Sequence, residues 1–324
     1  MREAVPPCGS QSGDRGGWMH LQGASPWMRV LRLHFVPTSV LPALLGGVMA
    51  WQAAGVFHAG HFFLVLLGVS LNHLGINMID DVFDDSRAVD PVAAQSVNPY
   101  SGGSGVLTGG ELGHRAVFAV AAAFFVCTAG IALYLAFAVG AGVLVFAGIG
   151  MFSSIFYSAP PVRYGYRGLG ELGHLINFGP VIVLGAFYVQ TRSIALEPFL
   201  ISLAPGLLMW SMIVANEIPD LEMDRKAGKN TLVVRLGAKR AVSLYGAGYL
   251  GAFGVIVLAA LFGAASPGAL LGLAGVPLAW QSWKLSKRVY ESPREMVPVN
   301  RAVITVHRLS CMGLAIGYLI AGAV

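Results

Sequence analysis

Asn77-Met78-Ile79-Asp80-Asp81-Val82-Phe83-Asp84-Asp85 sets four carboxylates against the end of a long apolar segment. Buried, unpaired carboxylates are strongly unfavourable, so acid concentrated there either meets water or is neutralised by a cation. Composition shows what surrounds this cluster. The chain has 324 residues, is 56% apolar and 11% charged, and has a mean hydropathy of +0.68. A soluble domain carries roughly 25% charged residues, so this balance belongs to a protein that lives in a lipid bilayer. The formal charge of +5 then reports orientation and not nucleic-acid binding, and nucleic acid is not expected as a partner.

Cys8, Cys127 and Cys311 are far apart, without a CxxC pair or clustered histidines, so neither a disulfide framework nor zinc is expected. Residues 1–28 are polar, rich in Gly and Ser, and lack the apolar core of a secretory signal. They are predicted to form a disordered cytosolic leader before an all-α, polytopic domain over 29–324.

Nine apolar segments are predicted to cross the bilayer, at about 30–51, 56–79, 116–138, 141–158, 168–190, 195–217, 241–263, 267–283 and 302–324. They are expected to surround a central cavity. Gln52-Ala53-Ala54-Gly55, Val139-Gly140 and the turn at Ala264-Ala265-Ser266-Pro267 are short and uncharged, whereas the intervening loops are long and charged. Arg2, Arg15, Arg29 and Arg32 precede or open the first segment, and nearly all other Lys and Arg fall in the even-numbered loops; Arg192 alone lies on the opposite face. The positive-inside rule makes the amino terminus and the charged loops cytoplasmic, which an odd number of spans requires. The acids follow the same pattern. Asp80, Asp81, Asp84, Asp85 and Asp90 sit in the second loop, and Glu217, Asp220, Glu222 and Asp224 in the sixth.

Asn77, Asp81 and Asp85 recur every fourth residue, and so do Asn216, Asp220 and Asp224. Residues four apart lie above one another on a helix, so each motif offers an amide oxygen and two carboxylates down one stripe. Hard oxygen donors without imidazole or thiolate suit Mg²⁺, which takes one or two carboxylates and completes its shell with water and substrate phosphates. One such stripe could be a solvated helix end balancing nearby bases. Two with the same spacing, at the same membrane face, point to a clamp for a diphosphate. Asp80-Asp81-Val82-Phe83-Asp84 also reads as the DDxxD motif of soluble prenyl diphosphate synthases, and both registers imply Mg²⁺ and a prenyl diphosphate. Nine apolar segments argue against that soluble fold.

After the second motif comes Arg225-Lys226-Ala227-Gly228-Lys229-Asn230-Thr231, where Gly228 permits a tight turn and the bases can meet phosphate oxygens. Lys229 is the foremost candidate, ahead of Lys226, and a positive-inside loop accounts for some of these bases without any site. Arg87, beside the first motif, is a further candidate diphosphate contact.

With these motifs the sequence resembles the UbiA-type intramembrane prenyltransferases over nearly everything after residue 29. Within them it is most similar to the 1,4-dihydroxy-2-naphthoate prenyltransferases of menaquinone synthesis. The likeness is carried by Asn98-Pro99-Tyr100-Ser101-Gly102-Gly103-Ser104-Gly105-Val106-Leu107, by Tyr164 to Glu171 leading to Phe178-Gly179-Pro180, by Leu184 to Thr191, and by Asn216 to Gly237. The naphthoate enzymes' first motif falls here on Asp80, Asp81, Asp84 and Asp90, which favours Asp84 and Asp90 over Asp85 as metal ligands. Helical spacing favours Asp85, and that choice stays open. Asp80 stands where those enzymes have Asn, and Leu33 and His34 replace their usual Pro and Lys.

The resemblance implies Mg²⁺-dependent transfer of a prenyl group from a polyprenyl diphosphate to an aromatic acceptor, with Asp81, Asp84, Asp220 and Asp224 at the catalytic centre. It implies Arg163 as a diphosphate contact, Tyr157 beside the reacting carbon, and Arg32 near the acceptor pocket. An aromatic belt could equally hold Tyr157, and Arg32 could simply snorkel to the interface. His174 and Asn177 either line the cavity or satisfy helix–helix hydrogen bonds. The Gly-rich stretch from Asn98 to Gly110 is read as a cap over the diphosphate. The implied setting is a bacterial inner membrane with the site facing the cytoplasm and no obligate protein partner. Acceptors such as hydroxybenzoate, homogentisate, chlorophyllide or haem remain open. A cation-coupled transporter is the rival class, and it predicts acids near the bilayer midplane.

Overall fold

In lipid a backbone must satisfy its own hydrogen bonds, so long apolar segments become helices. In the computed structural model, which describes residues 25–55, 57–85 and 98–323, the described residues form helices and turns without a strand. Ser25 caps α1 (Pro26–Leu31), which ends where Arg32 takes a left-handed conformation with φ 46°. A 3-10 turn (Leu33–Phe35) leads into α2 (Pro37–Ala54), and the two parts meet at a 41° bend. Proline at both helix starts places its missing N–H where no intrahelical bond was available. The chain continues through α3 (Ala59–Asp85), α4 (His114–Ala138), α5 (Gly142–Phe156), a 3-10 turn at Tyr164–Arg167, and α6 (Gly170–Thr191). Within α6 a wide π turn spans Asn177–Val181 around Pro180, which cannot donate to the ladder. Then come α7 (Leu196–Glu217), the short α8 (Leu221–Ala227) and α9 (Leu232–Leu236), α10 (Ala238–Leu261), a 3-10 segment (Pro267–Gly275), α11 (Val276–Val289) and α12 (Val297–Ala323).

Neighbours in sequence pack side by side from α2 through α7, α10 follows, and α12 closes the ring against α2. Where the 3-10 segment meets α12, a Cβ on Gly317 would run into the Gly268 carbonyl, so the two backbones touch directly. Small residues that let backbones approach are how helices associate in lipid, where burying apolar surface gives little driving force. Phe137 is 93% exposed and Phe262 82% exposed, an outer surface suited to lipid and not water.

Among the described residues, six helices are long and apolar enough to cross a bilayer, and the bent pair Pro26–Phe35 and Pro37–Ala54 makes a seventh candidate. The chain is thus an all-helical, multi-pass membrane protein. The structure is coarser than the nine-segment expectation at two places. The segment at 141–158 folds as the 15-residue α5, and that at 267–283 is divided between the 3-10 segment and the less apolar α11. The predicted leader lies outside the described residues as far as residue 24, and from Pro26 the chain is helical.

Candidate functional site

The last two turns of α3 and the end of α7 come together at one end of the bundle. A cavity of about 160 Å³ opens between them, lined by Asn77, Asp80 and Asp84 from the first motif and by Asn216, Asp220 and Asp224 from the second. Helix geometry selects these side chains, because positions three, four and seven apart share a face. Asp81 flanks that face and is fixed from two sides: Arg32 pairs with it, and the Ser104 N–H reaches its two oxygens at 3.1 and 3.2 Å. Asp85 is turned to His114, 2.5 Å away, and does not line the cavity. Asp90 and Arg87 lie outside the described residues.

The Gly-rich stretch closes over this space. Tyr100, Ser101 and Gly102 line the cavity, and Gly102, at φ 70°, donates its N–H to Asp220 at 2.8 Å. A residue with a Cβ rarely holds that left-handed conformation, which explains a glycine there. The stretch is anchored by Asn98, whose amide donates to Asn300 at 2.8 Å and to the Pro293 carbonyl at 3.1 Å. Asn300 in turn donates to the Asn216 side-chain oxygen at 2.9 Å. Asn216 therefore supports the cap through Asn300, whereas Asn77 donates its N–H₂ to the Leu31 carbonyl and turns its amide into the cavity wall.

Lys229 stands between the motifs, 2.5 Å from Asp84 and 3.9 Å from Asp224, with its ammonium 5.1 Å from the centre of the Tyr166 ring. Tyr166 donates its hydroxyl to Asp84, and Ser158 donates to Asp80. Burial, with the Asp84 carboxylate beside it, pushes the Tyr166 hydroxyl well above the usual phenol range, so it remains a donor. Glu171, fully buried, accepts from the Leu232 N–H at 2.6 Å and so ties the start of α9, just past Lys229, to α6. Tyr157 lines the cavity, edge-on to His174 at 5.0 Å, and His174 stacks on Phe178 at 5.4 Å. Of the other bases, Lys226 is exposed, and Arg163 does not line the cavity.

A second cavity, of about 130 Å³, runs between α3, α4, α5 and α6 with a wall that includes Leu64, Ile131, Leu135, Phe146, Val181 and Val189. It shares His73, Ile76 and Phe178 with the acidic cavity, so a charged chamber leads into an apolar one. Asn177 lines this second chamber and also bonds the Gly173 carbonyl. Tyr166, Ser158, Asn300 and Glu171 escaped sequence reasoning as site residues. Tyr166 and Glu171 sat inside a stretch already singled out for its likeness, whereas Ser158 and Asn300 carried no local signal.

The donors around the acidic cavity are carboxylate and amide oxygens with bases beside them. Among the described residues no three His, Cys, Asp or Glu side chains are grouped so as to hold a metal ion by themselves. Such a set fits Mg²⁺, which binds through a few carboxylates and takes its other ligands from water and substrate phosphate. Asp80, Asp84, Asp220 and Asp224, with Asn77, are the residues that could hold it.

The sequence matches the UbiA prenyltransferase family over residues 39–304. It is 31% identical to a 1,4-dihydroxy-2-naphthoate octaprenyltransferase of Mycobacterium tuberculosis, over 85% of this chain and 90% of that protein. It is 29% identical to one of Escherichia coli, over 84% and 86%, and 27% identical to a 2-carboxy-1,4-naphthoquinone phytyltransferase of Synechocystis, over 90% and 92%. The fold superposes on a UbiA homologue from Archaeoglobus fulgidus with a TM-score of 0.60 at 17% identity, covering 93% of this chain and 100% of that one. A further structure of that homologue, bound to GPP and Mg²⁺, gives 0.57 at 18% identity, covering 90% and 99%.

Proposed function

Because the chain belongs to the UbiA prenyltransferase family, we propose that it transfers the prenyl group of a polyprenyl diphosphate to 1,4-dihydroxy-2-naphthoate, as the named activity of its relatives suggests. The observation that carries this reading is the junction of the two chambers. Acidic stripes and Lys229 suit a metal-bound diphosphate, and the adjoining wall suits an isoprenoid tail.

The allylic carbon then lies near His73, Phe178 and Tyr157. Its C–O bond breaks with the electron pair leaving on the diphosphate. Lys229 stabilises that developing anion, the principal electrostatic demand of the step. Bound Mg²⁺ supplies further neutralisation of the diphosphate oxygens. Apolar and aromatic walls keep water from the allylic cation until the electron-rich ring attacks it. The new C–C bond forms at the ring carbon that carries the carboxylate, and loss of CO₂ restores aromaticity. In this reading Asp80, Asp84, Asp220 and Asp224 orient metal and substrate, Asp81 holds Arg32 and the Ser104 N–H beside them, and the stretch from Asn98 caps them.

Counting α5 and the 3-10 segment with α11 as crossings gives nine spans. By charge bias the site then faces the cytoplasm, in a bacterial case from the inner membrane. The transporter alternative wants acids at midspan. Asp80 and Asp84 instead occupy the last turns of α3, and Asp220 and Asp224 lie beyond the end of α7. The deciding test incubates the membrane protein with Mg²⁺, geranylgeranyl or longer diphosphates and a panel of aromatic acids, with products identified by mass. A decarboxylated prenyl naphthalenediol is expected, and its absence with every diphosphate would overturn the acceptor assignment.

A further inference from the structure

Among the described residues the acidic and the apolar chamber share three side chains, His73, Ile76 and Phe178. Of these, His73 alone can take up and release a proton. It is buried on the stretch of α3 that precedes the first motif, and its Nδ1 shares a hydrogen bond of 2.5 Å with the Ser39 hydroxyl. Among the described residues nothing bonds the other ring nitrogen, Nε2. A hydroxyl can donate or accept, so Ser39 holds the ring in one orientation whichever nitrogen carries the proton. A histidine oriented through one nitrogen keeps the other for proton transfer.

The neighbours of this ring place that transfer where the two chambers meet. Phe178 stands edge-on to His73 at 5.7 Å, and the aromatic wall continues through His174 to Tyr157. His174 lines the acidic chamber alone, and its Nδ1 donates to the Gly170 carbonyl at 2.8 Å. The ionisable neighbours of His73 are His174 on α6 and His34 in the turn before α2. Asp80, the first acid of the motif on α3, follows seven residues later, about 10 Å along the axis. That separation leaves room for a diphosphate between the acids and the junction, and sets His73 beside an allylic carbon held there.

We propose that His73 is the proton-transfer residue of the reaction, taking the proton of the acceptor hydroxyl next to the attacked ring carbon and returning it at the end. This rests on the prenyl-transfer reading and names the base for that same site. As the ring carbon that bears the carboxylate bonds to the allylic carbon, the neighbouring hydroxyl becomes a ring carbonyl and its proton passes to Nε2. The bond to the carboxylate then breaks, CO₂ leaves, the electron pair of that bond restores the aromatic ring, and the oxygen recovers the proton from His73. No proton is gained or lost overall. The acceptor's own carboxylate, adjacent to that hydroxyl, is the rival base.

The test uses the full chain in membranes with Mg²⁺, saturating geranylgeranyl diphosphate and 1,4-dihydroxy-2-naphthoate. His73→Gln keeps a polar side chain against Ser39 but cannot carry a proton away. Its kcat should fall by about 10²- to 10⁴-fold, the scale of general acid–base help, with both KM values held within about threefold. Between about pH 6 and pH 9 the variant should regain about tenfold per unit as the acceptor hydroxyl ionises without help, whereas the wild type gains far less. A structural role would slow turnover by the same factor at every pH, so a loss that does not recover overturns the proposal. A kcat within about threefold of wild type also overturns it and leaves the proton to the acceptor's carboxylate. If His73→Gln is not recovered folded, as judged by helical circular dichroism, Ser39→Ala decides. A kcat lower by about tenfold, the scale of one hydrogen bond, with both KM values kept, supports the assignment, and a wild-type kcat overturns it. A wild-type protein that prenylates no aromatic acid overturns the parent reading and this one with it, whereas wild-type turnover matched by His73→Gln overturns this one alone.

Discussion

The two acidic motifs share one spacing and sit in different electrostatic settings. The first is surrounded by cations and hydroxyls: Arg32 on Asp81, Lys229 and Tyr166 on Asp84, Ser158 on Asp80. The second is tied to the cap: the Gly102 N–H meets Asp220, and Asn216 reaches Asn98 through Asn300. Lys229 spans the two, close to Asp84 and 3.9 Å from Asp224. Equal spacing therefore supplies equal donor atoms without equal duties. One motif is paired with cationic and hydroxyl side chains, and the other is joined by backbone and amide contacts to the Gly-rich stretch.

The sharpest way to break this comparison is to neutralise one acid in each motif. Asp84→Asn and Asp220→Asn should each reduce prenyl transfer by about 10²-fold or more, the scale of losing one electrostatic stabiliser of a developing charge. Turnover at saturating Mg²⁺ measures it, with helical circular dichroism to confirm folding. Near-normal turnover in either variant would end the idea of a two-sided clamp.

Lys229→Met comes next. Removing one member of a buried charge pair costs about 2–5 kcal/mol in comparable interfaces, so a loss on the order of 10²-fold is expected, expressed mainly as a raised KM for the diphosphate. A loss confined to the acceptor KM would place Lys229 elsewhere in the reaction. Asn300→Ala should act more gently and on the second motif alone. It leaves Asn98 and Asn216 each short of a buried partner, at about 1–3 kcal/mol per unsatisfied group. The expected result is a lower thermal midpoint and roughly tenfold slower turnover. A variant with unchanged stability and rate would separate the cap from the second motif.

These residues also mark where sequence reading reaches its limit. The acids, the doubled spacing, Lys229 and the capping stretch were legible because each depends on local pattern: charge against an apolar background, helical period, glycine density. Asn300 was not, since it joins Asn98 and Asn216 only after α12 packs on α7. Arg32 was legible as a charged residue at a membrane edge, but its pairing with Asp81 depends on the break between α1 and α2. The span count suffered for a related reason. The segment at 267–283 reads as one apolar crossing, yet its first part, 267–275, winds as a 3-10 segment whose glycines lie directly on α12. Hydropathy reports burial in lipid and is silent about the pitch of the helix.

The smallest expected effect tests the finest distinction, between Asp84 and Asp85. Counting by fours from Asn77 puts Asp85 on the metal stripe, whereas counting by three and seven puts Asp80 and Asp84 there. A helix turns about 100° per residue, so position 85 lies about 80° from position 77 around the axis, and position 84 only about 20°. Over one turn the two counts are indistinguishable, and over two turns they diverge. The structure follows the second count, with Asp84 in the cavity and Asp85 paired to the half-exposed His114. Asp85→Asn should therefore keep turnover within about twofold, since Asp85 contacts His114 outside the cavity, while Asp84→Asn loses it. Measured side by side under the same Mg²⁺ titration, equal losses in the two variants would mean that the helix rotates when metal and diphosphate bind, and would return Asp85 to the metal stripe.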